Sequence, residues 1–172
     1  AAATRDPDGD RLEHRYEWFR SNRKGKTPRG KPKHVGARLP AEKTRKGQRW
    51  MCRVVASDGS LTGPAGQAEV RVGNAAPTAP VIRIEPTAPG PDQPLVCTIA
   101  EPAVDPDGDR VRYRFQWFKD GVAQPFAAET DRVPVRLTRA RDIWQCRVVP
   151  GDGQLEGSPA ESQEVLIVAP GM

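Results

Sequence analysis

The chain contains two copies of one sequence pattern, and this internal repeat constrains its fold more than any other feature. The acidic run DPDGDR at residues 6–11 recurs 99 positions later, and so does the aromatic run YEWF at 16–19, as FQWF. The run WMCRVV at 50–55 returns as WQCRVV only 94 positions later, which places an insertion in the first copy. We therefore predict two tandem modules, residues 1–76 and 77–172.

The second copy predicts an all-β module. The chain has 16 Gly and 18 Pro but only 6% aromatic residues, which favours short strands joined by turns over one large core. Val111, Tyr113, Phe115 and Trp117 alternate with polar residues, as expected of a half-buried strand. No capped amphipathic run of helical length is present. The predicted strands of this copy are residues 80–85, 95–99, 111–117, 132–137, 143–149 and 164–168.

The order of Cys97, Trp117 and Cys146 along these strands resembles immunoglobulin-like domains. Together with the DPDGD run and the linker NAAPTAP at 74–80, it is similar to the tandem immunoglobulin-like, fibronectin-type or cadherin-like repeats of large bacterial cell-surface proteins. The resemblance implies two immunoglobulin-like β-sandwich modules. It also implies a Cys97–Cys146 disulfide that staples facing sheets across Trp117, and hence an oxidising, extracellular location.

The first copy lacks the counterpart of the first two strands. In repeat register, the partner expected for Cys52 would lie before residue 1. Cys52 is therefore predicted to be unpaired or to form an intermolecular bridge. One interpretation is a piece of a longer chain. The alternative is an incomplete sandwich that receives a strand from a neighbouring subunit and so assembles into a surface filament.

The two DPDGD loops are candidate calcium sites, because alternating carboxylates with a turn glycine suit a hard, flexible-geometry cation. In a sandwich the loop carrying Asp152 is expected at the same pole, beside the linker. The alternative is a plain acidic turn, in which Asp side chains bond nearby backbone amides. The candidate ligands are Asp105, Asp107, Asp109, Asp152 and Asn74, with Asp6, Asp8, Asp10 and Asp58 in the first copy.

The basic character of the chain is local. Residues 20–49 hold twelve Lys or Arg and one acid, although the net charge of the whole chain is only +5. This segment is a candidate for binding acidic polysaccharide, and the alternative is a solvated loop. No aromatic residue interrupts it for base stacking, so specific nucleic-acid binding is not expected. The candidate polyanion-binding residues are Arg23, Lys24, Lys26, Arg29, Lys31 and Lys33.

The sequence offers little for catalysis. His14 and His34 are the only histidines, and His14 aligns with Tyr113 as a predicted packing residue of a strand. Nucleophile elbows, phosphate-binding glycine loops, zinc-type Cys/His spacings and membrane-spanning apolar runs are not found. We therefore expect a non-enzymatic spacer or adhesive stalk at a bacterial cell surface. Its expected partners are neighbouring repeats, copies of itself in a filament, or an acidic glycan.

Overall fold

The structure of the protein is a computed structural model that describes residues 6–21, 30–125 and 130–169. The chain divides into two compact units, Ala1–Asn74 (unit 1) and Ala75–Met172 (unit 2). Within the described ranges the regular elements are β-strands and short 3-10 turns, without an α-helix. The predicted all-β class is confirmed.

The described residues of unit 1 form one antiparallel sheet of four strands in the order β2-β1-β3-β4. Strands β1 and β3 form its centre and pair over nine residues, whereas β2 is a two-residue edge strand. As far as the structure describes this unit, no second sheet faces this one. The strands are β1 (Glu13–Ser21), β2 (His34–Val35), β3 (Arg49–Ser57) and β4 (Gly66–Arg71).

In the described ranges of unit 2 the strands form two antiparallel sheets. One has the order β5-β6-β9, and the other has the order β11-β10-β7-β8 with β12 also paired to β10. The strands are β5 (Val81–Glu85), β6 (Leu95–Glu101), β7 (Arg112–Lys119), β8 (Val122–Ala123), β9 (Arg132–Val133), β10 (Ile143–Gly151), β11 (Ala160–Glu161) and β12 (Val165–Leu166).

The core of unit 2 lies between these two sheets. Trp117 on β7 is fully buried and meets Trp144 on β10 edge to face, with ring centroids 6.3 Å apart. Cys97 on β6 and Cys146 on β10 form a disulfide with their Cα atoms 6.4 Å apart, so the bond joins one sheet to the other. The predicted disulfide-stapled sandwich with tryptophan at the bridge is confirmed.

The strand register of unit 2 is repeated in unit 1. Trp117 lies opposite Cys146, and Trp18 lies opposite Cys52 in the same way. Each indole N–H donates to a backbone carbonyl, from Trp117 to Thr130 at 3.1 Å and from Trp18 to the carbonyl of residue 36 at 2.9 Å. The sequence repeat is therefore a repeat of structure down to individual hydrogen bonds.

Two predicted strands are shorter than expected. The strand predicted at 132–137 ends at Val133, because Pro134 has no N–H for the ladder and the chain turns into a 3-10 turn, Val135–Leu137. The strand predicted at 164–168 pairs only over Val165–Leu166. After it, the amides of residues 167 and 168 donate to loop carbonyls instead of to a neighbouring strand.

The predicted packing role of His14 is wrong. Its counterpart Tyr113 is half-buried in unit 2, where the Tyr113 hydroxyl accepts a hydrogen bond from the Ala103 amide at 2.9 Å. His14 is exposed on β1 and its ring lies 6.5 Å from that of Tyr16. The difference follows from the sheets, since the described part of unit 1 supplies no second sheet to cover this end of β1.

Candidate functional site

The acidic loop of unit 2 connects β6 to β7 and is organised by Asp105. Its Oδ1 accepts hydrogen bonds from the backbone amides of Asp107 and Asp109, at 2.8 and 3.1 Å. Gly108 has a φ of +80°, a conformation that glycine adopts without strain, and its amide bonds the Asp105 carbonyl at 3.1 Å. The DPDGD sequence therefore folds this way because its first Asp and its Gly each serve the turn.

The same turn forms in unit 1. Asp6 Oδ1 accepts from the amides of Asp8 and Asp10, at 2.9 and 3.3 Å, and Gly9 has a φ of +85°. Both loops thus have the hydrogen bonds expected of an acidic turn. This turn role and a cation-binding role are compatible, because only one oxygen of the first Asp is used by the backbone amides.

In unit 2 the three carboxylates of the loop converge. One oxygen of each of Asp105, Asp107 and Asp109 lies within 4.8 Å of the others. Asp105 is only 7% exposed, and its Oδ2 is buried with no hydrogen-bond partner. A buried carboxylate oxygen without a donor is costly unless a proton or a cation satisfies it. An all-oxygen cluster of this kind fits calcium.

The other predicted acidic ligands form turns of their own. Asp152 Oδ1 accepts from the amides of Gln154 and Leu155, at 2.6 and 2.7 Å. In unit 1, Asp58 Oδ1 accepts from the amides of residues 61 and 60, at 2.6 and 2.7 Å, and these bonds lower the pKa of the Asp58 carboxyl.

The cluster of converging acids is therefore smaller than the predicted ligand set. Among the described residues, neither Asp152 nor Asp58 belongs to such a cluster, and the loop acids of unit 1 do not form one. Those loop acids are Asp6, Asp8 and Asp10. Asn74 lies in unit 1, on the other side of the division between the units.

The linker that leads into unit 2 is fixed to this loop. The Ala75 amide donates to Asp107 Oδ2 at 2.7 Å. Thr78 and Val104 exchange two hydrogen bonds, each of 2.9 Å, from the Thr78 amide to the Val104 carbonyl and from the Val104 amide to Thr78 Oγ1. Residues 75–78 therefore belong to the domain and do not form a free joint.

Gly157 contacts the same linker. A Cβ atom on Gly157 would lie 2.1 Å from the Pro77 carbonyl oxygen, far inside van der Waals contact, so only glycine fits there. Gly63 occupies the same position in the first copy, 94 residues earlier, and the sequence analysis assigned no role to either glycine. The recurrence itself was the signal, because a glycine kept in both copies indicates a close backbone approach.

Four of the six candidate polyanion-binding residues fall in the part of the segment that the structure does not describe. Arg23, Lys24, Lys26 and Arg29 lie outside the described residues. Lys31 and Lys33 are described and exposed. Lys33 leads into β2, and its amide donates to the Trp18 carbonyl at 2.7 Å.

Cys52 is a free, buried cysteine on β3, with 9% of its surface exposed. Burial raises the pKa of its thiol, because the thiolate is disfavoured away from water. Within this chain Cys52 is unpaired, which is one of the two predicted alternatives. The other alternative, an intermolecular bridge, stays a prediction.

Glu17 is a buried acid that the sequence analysis did not single out. It lies opposite Arg53 across β1 and β3, and Arg53 Nε donates to Glu17 Oε2 at 3.0 Å. This hydrogen bond is the main reason that the pKa of the Glu17 carboxyl is lowered, although burial opposes the shift. Arg53 also stacks over the Phe19 ring at 5.3 Å. These contacts show that Glu17 forms an ion pair with Arg53 within the sheet of unit 1, which accounts for a buried acid there.

None of the described residues forms a helix long and apolar enough to cross a membrane.

Comparison with known proteins finds similarity at the level of solved structures. No protein-family model and no curated protein matches the chain. The FN1–FN3 domains of chicken CNTN1 are 12% identical, with a TM-score of 0.40 over 93% of this chain and 57% of that one. A multidomain fragment of titin is 16% identical, with a TM-score of 0.42 over 72% of this chain and 41% of that one. Two fibronectin type III domains of chicken tenascin are 13% identical, with a TM-score of 0.37 over 94% of this chain and 87% of that one.

Proposed function

We propose that the chain is a structural repeat segment that acts as a spacer or adhesive stalk outside the cytosol, on a bacterial cell surface. The observation that carries this proposal is the Cys97–Cys146 bond, which ties the two sheets of unit 2 together across a buried Trp117. A bond of this kind persists in oxidising compartments and is rare in the cytosol. It also limits how far the domain extends under load.

The linker supports a spacer role. Residues 75–78 hydrogen-bond to the β6–β7 loop, and Pro77 packs against Gly157. A linker held by its own domain has fewer conformations than a free one, and prolines at 77 and 80 restrict it further. A repeat of this kind therefore adds length, while the linker at its N-terminal end has little conformational freedom.

Stretching single molecules tests the mechanical role. When unit 2 unfolds with its disulfide intact, the 49-residue separation between Cys97 and Cys146 remains closed. Adding reductant is therefore expected to increase the contour length released by unit 2 by about 170 Å, at roughly 3.5 Å per residue. Force spectroscopy of the chain between two handles measures this increase. A chain that extends without a discrete unfolding event would contradict the spacer proposal.

Calcium bound at the acidic loop would stiffen the linker further. Asp105, Asp107 and Asp109 would hold the ion, and Asp105 Oδ2 is the buried oxygen that it would satisfy. Asp107 also bonds the Ala75 amide, so the ion would fix the loop that anchors the linker. The cation supplies positive charge among three carboxylates that otherwise repel one another.

Calcium titration tests this part of the proposal. Extracellular calcium modules bind with dissociation constants of about 0.1–1 mM. At 10 mM calcium we expect a stabilisation of about 1–3 kcal/mol, which raises the Tm of unit 2 by roughly 5 °C or more. Asp105→Asn should abolish the shift, whereas Asp131→Asn, which changes an acid outside the loop, should retain it. Calorimetry that shows equal melting with calcium and with chelator would contradict calcium binding.

A further inference from the structure

Unit 2 shows how this type of module receives its first two strands. Residues 75–101 comprise the linker, β5 and β6, and three of the contacts that hold them to the rest of unit 2 involve residues with counterparts in unit 1. Asp107 accepts from the Ala75 amide, Gly157 leaves room for the Pro77 carbonyl, and Cys146 bonds Cys97.

Unit 1 contains the counterparts of the three residues that contact the linker and β6 in unit 2. In repeat register Asp8 corresponds to Asp107, Gly63 to Gly157 and Cys52 to Cys146. The loop geometry is also retained, because the Gly63 amide bonds the carbonyl of residue 56 at 2.9 Å and the Gly157 amide bonds the carbonyl of residue 150 at 2.8 Å.

Among the described residues of unit 1, nothing in contact with Gly63 requires a glycine at that position. A Cβ atom there would meet only the carbonyl oxygen of residue 56, at an ordinary 3.6 Å, and its φ is not in the left-handed region. At Gly157 the same atom would collide with the linker. Gly157 is required because a backbone carbonyl lies against it, whereas the position beside Gly63 is open. We take the glycine in unit 1 as an indication that a backbone segment belongs in that open position.

Two side chains of the face that those strands would cover are less buried in unit 1 than in unit 2. Trp117 and Cys146 are 0% exposed beneath β5 and β6. Their counterparts Trp18 and Cys52 are half-buried and 9% exposed, and the described part of unit 1 has no second sheet.

We propose that the Trp18 and Cys52 face of unit 1 is a docking surface for a strand pair of the same chemistry as residues 75–101, whose cysteine forms a disulfide with Cys52. The occupant is a strand pair that resembles β5 and β6. It is not β5 and β6 themselves, because those strands are already paired within unit 2 and Cys97 is already bonded to Cys146. The incoming backbone donates an amide to Asp8 and lays a carbonyl against Gly63. This assignment does not depend on the spacer function.

The covalent step is a thiol–disulfide exchange. The incoming strand pair carries its cysteine in a disulfide. The Cys52 thiolate attacks the sulfur of that cysteine, so that a new S–S bond forms and the original S–S bond breaks. The leaving thiolate takes the electron pair, and the Cys52 proton passes to water. The oxidant is therefore the incoming disulfide itself.

A peptide copied from unit 2 tests the proposal on the whole 172-residue chain. The peptide has the sequence of residues 75–101, with its single cysteine activated as a 2-thiopyridyl mixed disulfide. Docking places the two sulfurs together, so we expect release of pyridine-2-thione about tenfold or more faster than with a scrambled peptide of equal composition. Mass spectrometry should show one peptide bonded to Cys52, and Cys52→Ser should not react.

Two variants separate docking from simple thiol reactivity. Gly63→Ala should fill the open position and reduce the rate toward that of the scrambled peptide, and Asp8→Asn should weaken it. Melting of Gly63→Ala without peptide should match the parent, since the added Cβ would lie at an ordinary 3.6 Å from the carbonyl oxygen of residue 56. Equal rates for the two peptides, or an unchanged rate in Gly63→Ala, would overturn the proposal. Faster formation of a Cys52–Cys52 dimer would also overturn it, because the face would then close on a second copy.

Discussion

Replacing Cys97 and Cys146 together by alanine is expected to destabilise unit 2 by about 4 kcal/mol, the loop-closure value for a bond that closes about 50 residues. Both sulfurs are buried, at 3% and 0% exposure, and they connect the two sheets. The loss is large for a domain whose total stability is roughly 5–15 kcal/mol. We expect its Tm to fall by roughly 20 °C.

Urea unfolding followed by hydrogen-exchange mass spectrometry measures this loss, because peptides from the two units report separately. The matched control is Cys52→Ala, which removes a cysteine that makes no disulfide in this chain and should leave the transition of unit 2 unchanged. A loss below about 1 kcal/mol for the double variant would mean that the bond does not clamp the sheets.

Trp117→Ala is expected to destabilise unit 2 by about 3–5 kcal/mol, the range for truncating a large buried aromatic side chain. The variant loses the edge-to-face contact with Trp144 and leaves a cavity beneath the disulfide. It also removes the indole donor that bonds the Thr130 carbonyl at 3.1 Å.

The matched control is Trp18→Ala in unit 1, at the same register position. Trp18 is half-buried, so truncating it removes less apolar surface from the folded state and should cost unit 1 less than Trp117→Ala costs unit 2. Urea unfolding with exchange readout on each unit compares the two losses. Equal losses would show that the two faces are equally covered, which would contradict the difference between the units.

The sequence predicted those features that depend on local pattern or on the repeat. Alternation along β7 identified the side of the strand that carries Trp117, and the shared register of the copies identified Cys52 as the counterpart of Cys146. The disulfide was predicted because the order of Cys97, Trp117 and Cys146 resembles that of immunoglobulin-like domains, in which the two cysteines bond the facing sheets. By contrast, the end of β9 before Pro134 was missed, because the prediction continued the strand to residue 137 although proline cannot donate to a ladder.

Features that depend on distant backbone contacts were not predictable. The close approach of the Pro77 carbonyl to Gly157 joins residues 80 positions apart, so the recurrence of the glycine indicates a tight contact without identifying its partner. The burial of Glu17 depends on Arg53 across the sheet. For the acidic loop, the sequence predicted a wider set of ligands than the three that converge, because Asp152 bonds the amides of its own turn instead.

The central claim is that Cys97 and Cys146 bond two facing sheets of unit 2 while Cys52 keeps a free thiol in this chain. Blocking free thiols in denaturant, digesting without reductant and sequencing the products by mass spectrometry tests it most directly. The expected result is one cross-linked product that contains Cys97 and Cys146, together with a blocked Cys52. A product that joins Cys52 to either of the other two cysteines, or a digest with all three blocked, would contradict the structure and the function proposed from it.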